Sequence, residues 1–249
     1  MRPYELLRRP MRAWYTRILI EEAQLPRPID EPSAVRGGAA APIRVLLLGN
    51  GPCRGFGVLT HQLALTGQLA LEIDRRTDAG CRVDYVGDDR MTVGTASSWL
   101  GDRGRQGYHA VLVVLGISDA ATLTPIPLWE RSLRELMDQL RDELGPEAHV
   151  FVASIPELNK VPLLHGLFGK VSQLHATKLN AATLRVIADT PSCHSLAVPT
   201  PRFELGRPTG SSQVYERLAE ALAAQITPHV TQADPEGVPG SEKQREGQP

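Results

Sequence analysis

The run Ala110-Val111-Leu112-Val113-Val114-Leu115 contains no polar residue. A strand with one wet face alternates apolar and polar side chains, so an unbroken apolar run belongs where both faces are covered. Sheets of that kind are parallel, because their crossover helices pack above and below. Short apolar runs at Val45–Leu48, Val83–Val86, His149–Ala153 and Ser195–Val198 read as further strands. Helical periodicity marks Leu59–Arg75, Ala96–Leu100, Trp129–Leu144, Gly169–Ala188 and Ser212–Ile226. In the third of these, Leu133, Leu136, Met137 and Leu140 form one stripe, and Gly145-Pro146 stops it. The alternation predicts an α/β protein: a three-layer α/β/α sandwich around a five-stranded parallel sheet with right-handed crossovers. Such sheets carry their ligand sites at the carboxyl ends of the strands.

The flanks differ in texture. Residues 1–24 read as a basic amphipathic helix, with Leu7, Met11, Trp14, Tyr15 and Ile18 on one face. Pro10 should start or kink it. The apolar face needs cover, either from the protein's own core, from a partner or second copy, or from a membrane surface. Arg8, Arg9, Arg12 and Arg17 interrupt any signal-peptide-like apolar region. Residues 25–42, with Pro26, Pro28, Pro32, Gly37 and Gly38, read as a linker. Residues 43–228 form the predicted domain, and residues 229–249 an apolar-poor tail expected to be disordered. A net charge of -1 over 249 residues provides no basic field to recruit nucleic acid. No run approaches the ~20 apolar residues that span a bilayer. Cys53, Cys81 and Cys193 are too few and too scattered for a disulfide framework, which fits a reducing, cytoplasmic setting. No cluster of His, Cys, Asp or Glu shows metal-ligand spacing, so neither a metal nor a cofactor is expected.

Several motifs recur in a familiar order. Ile43–Leu48 leads into Gly49-Asn50-Gly51, then Gly55-Phe56-Gly57-Val58, His61 and Ala64–Ala70. Val93-Gly94-Thr95-Ala96, Val114-Leu115-Gly116-Ile117-Ser118-Asp119 and Leu179-Asn180-Ala181-Ala182 follow. Arg207-Pro208-Thr209 and Tyr215-Glu216-Arg217-Leu218-Ala219 close the series. Together they resemble the sequence blocks of the SGNH/GDSL hydrolases, the bacterial GDSL-type esterases and lipases, over Ile43 to Ile226. The resemblance implies the SGNH-hydrolase, flavodoxin-like fold. It also implies a chemistry that needs a serine nucleophile, a histidine base, an orienting carboxylate and oxyanion donors.

At the matching positions those groups are missing. Gly51 stands for the serine, Ser118 for the oxyanion-hole asparagine, Arg207 for the histidine and Glu204 for the aspartate. Only Gly94 and the main chain at Gly51 keep the family's pattern. No histidine lies between His194 and His229, so no shift of register supplies the base, and arginine stays protonated at pH 7. The resemblance therefore implies a degenerate site: a non-catalytic binding or scaffold protein. The alternative is an ester or acyl hydrolase with a relocated nucleophile, for which Cys53 is the candidate; a small residue packed under the turn is the plainer reading of it. Ser118 is either a turn cap or a ligand contact, and Glu204–Arg207 a solvated ion pair or part of an anion site. Asp88 and Asp89 read as turn residues, and His61, His165 and His175 as structural or surface histidines. Gly51, Gly94, Ser118 and Arg207 are the expected binding set, for a small anionic or acyl ligand.

Overall fold

The computed structural model describes residues 3–39, 41–101, 107–145, 147–200 and 211–231. Helix α1 (Pro3–Glu22) and strand β1 (Ser33–Arg36) precede β2 (Ile43–Gly49), α2 (Leu65–Thr77), β3 (Cys81–Val86) and α3 (Val93–Ala96). Then come β4 (Ala110–Val114), α4 (Ile117–Ala121), α5 (Ile126–Leu144), β5 (His149–Ala153), α6 (Gly166–Ala188), β6 (Cys193–Leu196) and α7 (Ser212–Val230).

The strands form one six-stranded sheet in the order β1-β3-β2-β4-β5-β6. All neighbours are parallel except β1, which pairs antiparallel with β3. The expected five-stranded sheet therefore gains a strand, drawn from the segment read as a linker. Four residues set among prolines and glycines show no periodicity, but Ala34 is buried in the core beside Ile43 and Val83. β6 also lies two residues earlier than Ser195–Val198, because pairing with β5 matches Cys193 to Val150. The helix expected from Leu59 starts only at Leu65. Gly55 and Gly57 turn the chain tightly with φ of 69° and 81°, and Leu59 and Leu63 are exposed. The segment Ala96–Leu100 resolves into α3 followed by a short 3-10 turn at Ser97–Trp99.

The apolar run of β4 behaves as its composition requires. Val111 and Val113 join one core with α1, α3, α5 and α6, while Ala110 and Leu112 join the other with α2 and α7. Helix α1 continues unbroken past Pro10; its Tyr15 and Ile18, 7% and 4% exposed, join the first core, and Met11 is fully buried. Of the three covers for that face, the protein's own core supplies this one. Helix α7 continues through Pro228 to Val230, so the start of the predicted tail is helical. Residues 232–249 lie outside the described residues. No described helix is long and apolar enough to cross a membrane.

Candidate functional site

The carboxyl ends of β2, β4 and β5 open onto a cavity of about 130 Å³ beside Gly51. Its position follows from the chain. β2 runs into a 3-10 turn, Gly51–Arg54, and Gly51 takes φ +56, the left-handed region that glycine enters at least cost. Pro52, Val114, Ile117, Val198 and Leu218 make most of its wall apolar, and α1 and its following turn add Tyr15, Glu22 and Leu25. A Cβ built on Gly51 would meet Ile117 Cδ1 at 3.1 Å.

Asn50 and Ser118 are drawn together behind Gly51. Asn50 Nδ2 donates to Met91 O (2.7 Å) and to Ser118 Oγ (2.9 Å). Ser118 Oγ lies 3.0 Å from Tyr15 Oη and donates to Asp89 O at 3.3 Å. With Asn50 and Tyr15 donating to it, the hydroxyl has used its donor and both acceptor sites. Ser118 is therefore a buried junction that ties α1 and α4 to the β2 turn, and it has nothing left for a ligand. Asp119 is fully buried, accepts from Val93 N and Thr124 Oγ1, and has its carboxyl raised to about 6 by burial. It pins the start of α3. Gly94 sits exposed on α3, 3.7 Å (from a built Cβ) to Ser132 Oγ, and does not line the cavity. Glu204 and Arg207 lie outside the described residues.

Cys53 is 0% exposed, within the α2/α7 core, and burial pushes its thiol well above the ordinary range. It is held protonated and out of contact with solvent, unlike a reactive thiolate. His61 is also structural: its N–H and Nδ1 both meet Asp30, at 2.9 and 2.8 Å. This clamp ties the approach to β1 onto the turn before α2. His175 Nε2 bonds Thr124 O inside the protein, and His165 stands exposed at the start of α6.

The charged groups at the mouth were not foreseen. Asp89 receives Arg27 and Arg54, each at 3.1 Å, and Arg27 stacks on Phe56 at 5.0 Å. Glu22 shares the cavity wall with Asp89, and burial, reinforced by Asp89, raises its carboxyl to about 7. Nothing in the local pattern marks Glu22 or Arg27, since their meeting depends on where α1 docks. Because the folded-state value exceeds the unfolded 4.5, the folded protein holds an extra proton between 4.5 and about 7. Stability contributed by Glu22 is thus full below that window and lost as pH rises through it. Glu22→Gln should gain on wild type by about 1–2 kcal/mol between about pH 5 and about pH 8, read by urea unfolding at both. A pH-independent difference would show Glu22 to be ordinary in the folded protein.

Among the described lining residues there is no cysteine or histidine, and Ser154 is the single serine. Its hydroxyl accepts from Val198 N at 3.0 Å. Tyr215 Oη donates to Phe56 O. Among the described residues the site is an apolar hollow whose tyrosine hydroxyls are hydrogen-bonded within the protein.

No family model matches the sequence, and no curated protein matches it. Solved structures do share its fold. An active-site mutant of a family two carbohydrate esterase from Clostridium thermocellum is 13% identical, with a TM-score of 0.52 over 76% of this chain. The match spans only 64% of that esterase. A carbohydrate acetylesterase from Sinorhizobium meliloti is 17% identical, with a TM-score of 0.56 over 74% of this chain and 98% of its own. A protein of Desulfitobacterium hafniense described as lipolytic and of the G-D-S-L family is 10% identical, with a TM-score of 0.54 over 73% and 98%. The chain has the SGNH/GDSL hydrolase fold, as its sequence blocks implied.

Proposed function

We propose that this protein is a non-catalytic SGNH/GDSL-fold binding protein that holds a small neutral apolar group, such as a short acyl chain or a ring, beside Gly51. The observation that carries the reading is Gly51 itself: a residue without a side chain lies on the wall of the cavity, and no described histidine lines it. Nucleophile and base act as a unit, so losing both leaves only the modest rate that binding provides. The alternative nucleophile, Cys53, is buried and held as the thiol.

Of the two ligand classes expected, acyl or anionic, the cavity favours the first. Its described polar wall includes two carboxylates, Glu22 and Asp89, and Ser118 has no free valence. No described lysine, arginine or histidine lines it to hold an anion. About 130 Å³ is close to the roughly 150 Å³ that accepts a benzene-sized guest, and well below the ~300 Å³ of drug-sized pockets. We propose a cytoplasmic location as well, supported by three buried cysteines outside any disulfide.

Three measurements test it. Hydrolysis of p-nitrophenyl butyrate should match a buffer-plus-albumin control, and a fluorophosphonate probe should leave the protein unlabelled. Ligand-observed NMR should detect hexanol or ethyl butyrate at millimolar concentration more strongly than butyrate. Gly51→Ser should restore no turnover and should cost about 1 kcal/mol or more, because serine would inherit a left-handed backbone. Saturable hydrolysis by wild type, or rescue by Gly51→Ser, overturns the non-catalytic reading. Preferential binding of butyrate overturns the choice of ligand.

A further inference from the structure

We propose that His149, His194 and His229 form a binding site for a single zinc-class divalent cation, at the edge of the sheet opposite the Gly51 cavity. His149 opens β5 and His194 lies in the neighbouring strand β6, opposite Phe151 in the parallel register. His149 and Phe151 point to the same face, which α7 covers, and α7 brings in His229 near its end. The cavity is lined by Ala153 and Ser154, at the other end of β5.

The geometry suits a metal. His149 Nδ1 and His194 Nε2 are 3.1 Å apart, and one ring nitrogen from each of the three histidines lies within 4.8 Å of the others. A tetrahedral ion with M–N bonds of about 2.0–2.1 Å sets its ligand nitrogens about 3.3–3.4 Å apart. One pair, at 3.1 Å, is within a few tenths of an ångström of that spacing, and the third ring is held close by packing: His194 and His229 have ring centroids 4.0 Å apart. Phe151 stacks on His194 at 5.0 Å and meets His229 edge-on at 5.5 Å, so the rings are oriented before any ion arrives.

The proton balance points the same way. Burial and the neighbouring rings lower the proton affinity of His149 and His194, so both offer neutral imidazole near pH 7. Without metal, His149 and His194 share one N–H···N hydrogen bond; a cation would take both lone pairs once the donating ring carries its proton on its other nitrogen, so both ligands stay neutral imidazoles. Imidazole donors favour zinc, copper and nickel over magnesium or calcium. Three protein ligands leave a fourth position for water, or for the Glu147 carboxylate, which acts electrostatically on His149.

The sequence offered no hint of this, since His149 and His194 are 45 residues apart and follow no ligand spacing. The competing explanation is that a His–His hydrogen bond and ring stacking alone hold these residues together.

The test uses untagged, full-length protein freed of metal with a chelator. Titration calorimetry with zinc chloride should show one equivalent bound, and the melting temperature should rise with zinc. Cobalt(II) should give the visible bands of a tetrahedral site. His229→Gln and His149→Gln should each weaken zinc binding at least about tenfold. His165→Gln, an exposed histidine outside the cluster, should bind zinc as wild type does. Should His149→Gln fail to fold, the partly exposed His229→Gln decides alone. Absence of saturable zinc binding, or binding unchanged in His229→Gln, overturns the proposal in favour of ring packing.

Discussion

Deleting residues 1–24 should lower the unfolding free energy by more than about 4 kcal/mol, or leave the protein unable to fold at 37 °C. Met11, Tyr15 and Ile18 are all under 9% exposed, and Tyr15 and Ile18 pack into the core shared with Val111, Val113 and Trp129. Losing one comparable core side chain costs about 2–5 kcal/mol, and here three leave at once. The truncated chain no longer bears the entropy cost of ordering that helix, which is why the expected loss is less than the simple sum. The polar side of the contact fails as well. Tyr15 Oη would no longer meet Ser118 Oγ, and the cavity would lose the wall formed by Tyr15 and Glu22. The truncated protein should therefore bind an apolar dye such as ANS, and bind hexanol no better than a scrambled control. Urea unfolding of the two proteins decides the matter. Equal midpoints would show that the core does not need α1, and would return the helix to a partner or a membrane surface.

Gly49→Ala should be still more damaging at the site, with a loss of about 3 kcal/mol or more and collapse of the cavity. Gly49 ends β2, directly paired with Val114 of β4. A Cβ there would overlap the Val114 carbonyl, which accepts the Asn50 N–H at 3.1 Å. Main-chain atoms of two paired strands cannot step aside as a side-chain end can. Relief would separate β2 from β4, break the Asn50 bond and carry Gly51 out of the wall. The Tyr85 hydroxyl, which donates to Gly49 O, would be strained in the same movement. A melting temperature within a few degrees of wild type would mean that the strands accommodate the methyl group.

Local patterning carried the architecture because strand and helix periods are written in neighbouring residues. The unbroken apolar run of β4 required burial on both faces, and each face does join a separate core. The leucine stripe of α5 and its glycine stop placed that helix to within three residues at its start. β1 escaped notice because four residues are too few to show a period, and their strand character comes from pairing with β3. The start of α2 was misplaced because the turns at Gly55 and Gly57, not periodicity, decide where the helix can begin.

The absence of a serine at Gly51 was visible from the residues alone, since no fold can give glycine a hydroxyl. Everything that depends on partners distant in sequence was decided by tertiary structure. Ser118 read as a turn cap or a ligand contact, but Tyr15, 103 positions away, and Asn50 saturate it. Cys53 was a candidate nucleophile until packing removed it from solvent. Glu22 became a wall of the cavity only when α1 docked, and three histidines without any shared motif met only when α7 closed over β5 and β6. Periodicity is a property of adjacent residues, and sequence states it directly; proximity, burial and proton affinity are properties of the packed chain, set by contacts that no local spacing encodes.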